Sequence, residues 1–294
     1  MYNYLIKINF ISKHQHGFCF GRSTLTNLLE TYNFVTDNLD NKKAVDLIFI
    51  DFEKAFDRLD INLLIQKLLY IKCPNYIVVF LQIFLLNRLQ KVSVRDVLSG
   101  SLPVLSGVPQ GCVISPLLFL IYINDIFNLP ISSNLKLFAD DSKLYNLSEN
   151  FHILESDLSL LNEWCKANFV NINVSKSFVL HFGKEDGRMN YKVDDVALRR
   201  TSEVKDLGLL VDDKFNFKNQ CLSIVKKADF LSYSVLKLFK FSSMENKYFI
   251  FQIFIKPIID YNIVFYFPRT KLLISLLEKV QRKFTKKMSL WPHL

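Results

Sequence analysis

An α+β fold is what this sequence predicts, and three observations predict it. Short apolar runs of strand length at residues 44–51, 135–145, 177–182 and 203–212 are interleaved with segments whose apolar residues recur at helical spacing. The order is strand, helices, hairpin, helix, strand, which mixes the two types without the regular alternation of a doubly wound sheet. Beyond about Phe217 the pattern turns helical and basic, so a boundary to a second, helical lobe is expected there.

Residues 23–39 open on Ser23 and carry Leu25, Leu28, Leu29, Tyr32 and Val35 on one helical face, ending at a polar Asn/Asp exit. The following run, 44–51, is almost continuously apolar and reads as a strand buried on both faces, leading into a helix-like stretch at 52–57. Residues 60–72 read as a helix, Pro74 interrupts, and 76–86 reads as a buried core helix. Residues 91–97 alternate like a strand, with a turn at 98–101. A loop punctuated by Gly107, Pro109, Gly111 and Pro116 opens into a helix over 117–127, with Ser115 as N-cap and Pro116 in the first turn. Leu154, Leu158, Leu161, Trp164 and Cys165 mark an amphipathic helix at 153–167; a strand at 177–182 and a charged turn at 183–187 come next. Residues 203–212 read as a strand in which Gly208 marks a close backbone approach, and from Asn219 onward helices dominate, including a buried one in the apolar run 248–267.

With 294 residues, half of them hydrophobic, the chain can bury a sizeable core, so a disordered chain is excluded. Its net charge of +9 is concentrated at one end: from Leu236 onward eleven Lys and Arg face three acidic residues. Such clustering fits a polyanionic partner. Five scattered cysteines without a Cys-x-x-Cys pair support neither a zinc site nor a disulfide framework and fit a reducing compartment, and the five His read as structural or surface residues. The N-terminus lacks the features of a signal peptide, and the apolar runs are too short or too interrupted to span a bilayer. The expectation is a soluble, intracellular protein with no membrane partner, without distinguishing nucleus from cytoplasm and with no protein partner inferable.

The chemistry sits in carboxylates. Asp140 and Asp141 are adjacent at the tip of two short apolar strands, and Asp51 ends the buried strand before the Phe52-Glu53-Lys54-Ala55-Phe56-Asp57 stretch. Adjacent like charges are best tolerated at a solvated turn or around a cation. If the strands pair, three carboxylates meet at one sheet edge, an arrangement suited to two divalent ions about 3.5–4 Å apart and in-line phosphoryl transfer.

Taken in order, His16-Gly17-Phe18, Gly21-Arg22-Ser23-Thr24, Asp51-Phe52-Glu53-Lys54-Ala55-Phe56-Asp57, Gly107-Val108-Pro109-Gln110-Gly111, Phe138-Ala139-Asp140-Asp141 and Leu207-Gly208 resemble the reverse transcriptase of jockey-like non-LTR retrotransposons across almost the whole chain. The resemblance implies a right-hand polymerase: partial, truncated fingers in residues 1–43, a palm in 44–217, and a helical basic thumb in 218–294. It implies that Asp51, Asp140 and Asp141 hold two magnesium ions, with manganese as a substitute. It implies that Phe56 excludes a 2′-hydroxyl, that Gln110 and Gly111 contact template and nucleotide, that Lys176 lies near the triphosphate leaving group, and that Arg22 pairs with triphosphate or template phosphate. The partners implied are an RNA template, a DNA primer and deoxynucleotide triphosphates. The segment before His16 is shorter than the family's fingers, and Cys19 stands where the family commonly has Arg. These departures weaken nucleotide binding, so a catalytically inactive remnant that keeps the fold and binds nucleic acid is the alternative expectation.

Overall fold

The computed structural model describes residues 1–184, 190–266, 268 and 270–290. The chain divides into two compact units, Met1–Thr201 and Ser202–Leu294.

The first unit is organised by the Val45–Ile50 strand, whose six residues are all buried, as a strand covered on both faces must be. It is central in a five-stranded sheet ordered Arg199–Thr201, Phe178–Phe182, Val45–Ile50, Asp141–Leu147, Asn134–Phe138. Neighbours are antiparallel except Arg199–Thr201, which runs parallel to Phe178–Phe182. Because side chains alternate across a strand, Lys143 and Tyr145 turn to the helix Thr24–Asp40: the Lys143 ammonium donates to Asn27 Oδ1 at 2.7 Å, and Tyr145 meets the Phe34 ring at 5.2 Å. Leu144, between them, joins the apolar cluster that contains Leu154, Leu158 and Leu161 of the helix Phe151–Ala167. The strand's single charge, Asp46, is buried and accepts from Tyr191 Oη at 2.7 Å, with His181 Nδ1 at 2.8 Å from its other oxygen.

Local signals set the helix starts. Ser23 and Thr26 form a reciprocal capping box at Thr24–Asp40, and Asp60 Oδ1 accepts the Leu63 N–H at 2.7 Å to begin Ile61–Tyr70. Three expectations are corrected here. Residues 76–86 form the helix Asn75–Leu85, but only Val78, Leu81 and Leu85 are buried while Tyr76, Phe80 and Ile83 are exposed; a run interrupted only by Gln82 has no polar face to reveal its orientation. Residues 91–97 are not one strand. Ser93–Val94 pairs with Val97–Leu98 in a short exposed hairpin reversing at Arg95 and Asp96, both left-handed at φ 45° and 67°, and a separate short ladder joins Leu89–Gln90 to Leu102–Pro103. Ser115 is not an N-cap: the helix Ser115–Ile123 already includes it, and its hydroxyl donates to the Pro109 carbonyl at 2.5 Å.

In the second unit residues 203–212 form a hairpin, Glu203–Asp206 against Leu209–Asp212, in place of a single strand. The turn residues Leu207 and Gly208 have φ of 44° and 85°, and a Cβ on Gly208 would stand 2.9 Å from Tyr261 Cε1. The division at Thr201/Ser202 groups this hairpin with the helix Lys218–Leu238. Asp212 carboxylate oxygens accept the N–H groups of Lys214, Asn216 and Phe217 at the entry to that helix, and Gln220 Oε1 accepts the Leu210 N–H at 3.0 Å from within it. The same helix packs with Lys271–Leu290 around Ala228, Val235, Phe251, Ile255, Val280 and Phe284. The apolar run 248–267 is not a buried helix throughout: Met244–Ile250 passes through a wider π-helical turn, Phe251–Ile255, before Lys256–Asp260, and Tyr248, Phe249, Ile253 and Phe254 are exposed. Pro257, lacking an N–H, sits just past that irregular turn. Residue 267 and most of the expected turn at 183–187 lie outside the described residues. Among the described residues no helix is long and apolar enough to cross a membrane.

Candidate active site

Strand register brings the carboxylates together. Ile50 pairs with Ser142 and Phe138 with Asp141, so the next position outward on the central strand is Asp51 and its counterpart is Asp141. Ala139 and Asp140 form the two-residue turn of the hairpin, with Ala139 left-handed at φ 57°. Burial pushes the Asp140 carboxyl above its ordinary range; a hydrogen bond to its own backbone opposes this, and the charge of Asp51 adds to the rise. Asp51 and Asp140 are therefore electrostatic neighbours, and Asp141 is exposed beside them.

Among the described residues no three His, Cys, Asp or Glu side chains form a ready group of metal ligands. The three aspartates share one sheet edge through backbone placement, as the strand pairing requires. The donor set nonetheless fits a hard divalent cation. Its oxygens are all carboxylate, and the like-charge pressure of Asp51 on half-buried Asp140 is what a cation relieves.

Asp51 is fixed by its backbone. Its N–H donates to Ser177 Oγ at 3.1 Å, and its carbonyl accepts the Asn173 N–H at 2.8 Å. Phe52 forms a bridge to Ile172, and the Glu53 N–H donates to the Asn171 carbonyl at 2.9 Å. Lys176 belongs to this clamp: its N–H donates to the Asn173 carbonyl while its side chain stays exposed. Buried Ser177 is a contact of Asp51 that sequence reasoning misses, because a serine before a strand carries no signal of a partner 126 positions away.

Phe56 lies in the short helix Ala55–Arg58, half-buried and stacked on Phe119 with ring centroids 4.3 Å apart. Its carbonyl accepts the Val108 N–H at 2.9 Å, which docks the Gly107–Gly111 loop beside it. Gly107 is required there: at φ 74° its Cβ would stand 2.6 Å from the Asp57 carbonyl oxygen. Gln110 Nε2 donates to Asp57 Oδ1 at 2.9 Å, so Asp57 anchors this otherwise exposed side chain, and Gly111, at φ 81°, faces open space.

Arg22 Nη1 donates to the backbone carbonyls of Ser12, at 2.7 Å, and of Gln15. These bonds secure the loop that carries Gln15. Gln15 itself is a second residue that sequence reasoning misses: its side chain is buried against the Ala139 backbone at the Ala139-Asp140 turn. A lone Gln in a polar stretch gives no sign of such a contact.

Comparison with known proteins agrees with this arrangement. The family described as "Reverse transcriptase (RNA-dependent DNA polymerase)" matches residues 1–233. The chain is 29% identical over 219 residues to the probable RNA-directed DNA polymerase from transposon BS of Drosophila melanogaster, covering 69% of this chain and 24% of that protein. It is 25% identical over 298 residues to the RNA-directed DNA polymerase from mobile element jockey of Drosophila funebris, covering 95% of this chain and 32% of the relative. The chain thus spans between a quarter and a third of the length of these relatives. Among solved structures, apo telomerase from Candida tropicalis shares the fold at a TM-score of 0.54 and 12% identity, covering 98% of this chain and 50% of the telomerase. The α+β expectation and the resemblance carried by six ordered motifs are therefore both met, and the chain belongs to the reverse transcriptase (RNA-dependent DNA polymerase) family.

Proposed function

We propose that this chain carries the polymerase part of a non-LTR retrotransposon reverse transcriptase, adding deoxynucleotides to a DNA primer on an RNA template. The observation that carries the reading is the register that sets Asp51 beyond Ile50, opposite the Asp140-Asp141 turn, at one end of the sheet. Asp51, Asp140 and Asp141 would hold two magnesium ions. Bound there, such ions supply charge neutralisation for the attacking and leaving oxygens of phosphoryl transfer.

The chain's own residues position the reactants. The Phe56 ring is braced by Phe119, and a ring held in that way, five residues after Asp51, would exclude a ribose 2′-hydroxyl from the nucleotide site. Gln110, anchored through Asp57, presents an amide that both donates and accepts to the nascent base pair, with Gly111 allowing close approach. Lys176 is exposed on the segment that clamps Asp51 and neutralises the leaving phosphate. Arg22 acts indirectly, by fixing the Ser12–Gln15 loop. In domain terms residues 1–43 serve as partial fingers, the palm begins at 44, and the basic helices after 218 serve as the thumb, with the Leu207-Gly208 hairpin between them contacting the primer end.

A second reading, nucleic-acid binding without turnover, is favoured by one observation: the Arg22 Nη1 is engaged with backbone carbonyls. Primer extension on RNA and DNA templates separates the two. Magnesium-dependent extension on RNA selects the polymerase; binding of primer–template without extension selects the second reading.

A further inference from the structure

We propose that Gln15 is a positioning residue for the catalytic turn: its buried carboxamide, together with the bare backbone of Gly17, sets the Ala139-Asp140 peptide and so holds Asp140 ready for a cation. The inference rests on the reading of Asp140 as a metal-binding residue.

Ala139 adopts φ 57°, a left-handed conformation that is unfavourable for a residue with a Cβ and persists only when its surroundings enforce it. The enforcement comes from 124 positions earlier in the chain. Gln15 Oε1 accepts the Ala139 N–H at 2.9 Å and the Gly17 N–H at 2.8 Å, and Nε2 lies 3.5 Å from the Ala139 carbonyl. Gln15 is 1% exposed, so water does not stand in for these bonds, and removing the acceptor strands two backbone donors in the interior.

A second observation independently points to the same cradle. A Cβ on Gly17 would stand 2.3 Å from the Ala139 nitrogen and 2.9 Å from the Phe138 carbonyl carbon. The two backbones therefore approach to a distance that only glycine permits. The cradle is itself anchored to the sheet. The His16 N–H donates to the Leu137 carbonyl at 2.9 Å, and the Leu137 N–H donates to the His14 carbonyl at 3.0 Å, while Arg22 holds the Gln15 carbonyl. Residues 14–17 thus form a rigid edge on which the turn rests.

The Ala139 carbonyl belongs to the peptide plane that leads into Asp140. A change in that plane reorients the Asp140 carboxylate, and partners that orient a metal-binding group typically account for about 10- to 100-fold in metal affinity. Gln15 touches neither nucleotide nor metal in this scheme. It acts through Ala139.

The test combines hydrogen exchange at the Ala139 amide with manganese binding followed by electron paramagnetic resonance, on the full chain and on Gln15→Met, Gln15→Glu and Asp140→Asn. In the unsubstituted protein the Ala139 amide should be strongly protected although it lies in a turn. Gln15→Met keeps the volume but not the hydrogen bonds. It should speed that exchange on the order of tenfold or more and weaken manganese binding about 10- to 100-fold, whereas Gln15→Glu, which keeps an oxygen acceptor, should retain most of the protection. Rapid exchange at Ala139 in the unsubstituted protein overturns the proposal without reference to any variant's folding. So does manganese affinity that is unchanged in Gln15→Met but lost in Asp140→Asn. If Asp140→Asn also leaves manganese binding unchanged, the metal reading of Asp140 fails and the inference fails with it.

Discussion

The Ser177 hydroxyl accepts the Asp51 N–H at 3.1 Å while donating to the Asn173 carbonyl at 2.9 Å. One buried side chain thereby joins the end of the central strand to the turn that carries Lys176. Ser177→Ala leaves the Asp51 N–H without an acceptor, a loss of about 1–3 kcal/mol. Urea unfolding should show that decrease. Primer extension should fall more than primer–template binding does, because the displaced group is Asp51. Equal extension rates in Ser177→Ala and the unsubstituted protein would mean that Asn173 alone holds Asp51 in place.

Phe56 faces two demands. Its ring stacks on Phe119, so Phe56→Ala removes packing of about 3 kcal/mol, reduced because the ring is only half-buried. It should also admit ribonucleotides. Phe56→Tyr or Phe56→Leu keeps bulk and should retain sugar discrimination in competition assays with dNTP and rNTP. If Phe56→Ala lowers stability but leaves discrimination unchanged, the ring serves the core alone.

The Asp46–His181–Tyr191 cluster predicts a pH-dependent contribution to stability. Hydrogen bonding to Asp46 raises the His181 pKa from 6.5 against the opposing effect of burial, since a doubly protonated ring can donate both to Asp46 and to the Lys184 carbonyl. Burial pushes Asp46 up, but its bonds to His181 and Tyr191 outweigh that and leave it below its ordinary 3.8. The His181 contribution is complete below pH 6.5 and is lost as pH rises through the folded value; the Asp46 contribution is present above pH 3.8 and is lost as pH falls through its lowered value. The stability difference between the unsubstituted protein and His181→Gln should be larger at pH 6 than at pH 8.5, on the order of 1 kcal/mol. A difference independent of pH would show that His181 is neutral in the folded protein throughout.

Nucleic-acid affinity should reside in part on the helix Lys271–Leu290. Not all of the basic charge is available to it. Lys247 is buried and donates to the Lys240 carbonyl at 3.0 Å, Arg282 pairs with Glu278, and Lys283 pairs with Asp229. Replacing exposed Lys279, Lys286 and Lys287 by Ala should make the slope of log affinity against log salt shallower by about 0.7–0.9 per lysine that reaches a phosphate. An unchanged slope would place the template elsewhere.

How far the fold and the site are legible in the sequence depends on the range of the interactions involved. The Val45–Ile50 strand is legible because an apolar run of that length ending in Asp is a local pattern, and Thr24–Asp40 is legible because Ser23 caps it. The aspartates can be assigned to one edge because a hairpin tip and a strand end are sequence features, whereas their pairing register needs the sheet. Gln15 and Ser177 are not legible, since each is tied by hydrogen bonds to backbone more than a hundred positions away. Lys247 misleads for a related reason: composition counts a charge without showing that it is buried against the Lys240 carbonyl. The short ladders around Arg95 and Asp96 escape notice because the apolar alternation runs on through the turn.

Magnesium-dependent primer extension by the unsubstituted protein and by Asp140→Asn, on one RNA template and with primer–template binding measured in parallel, tests the central claim most directly. The expected result is extension by the unsubstituted protein and its abolition in Asp140→Asn, with binding preserved to within a few-fold. Undiminished extension by Asp140→Asn, or loss of extension and binding together, would contradict the assignment of the Asp51, Asp140 and Asp141 edge as the catalytic metal site.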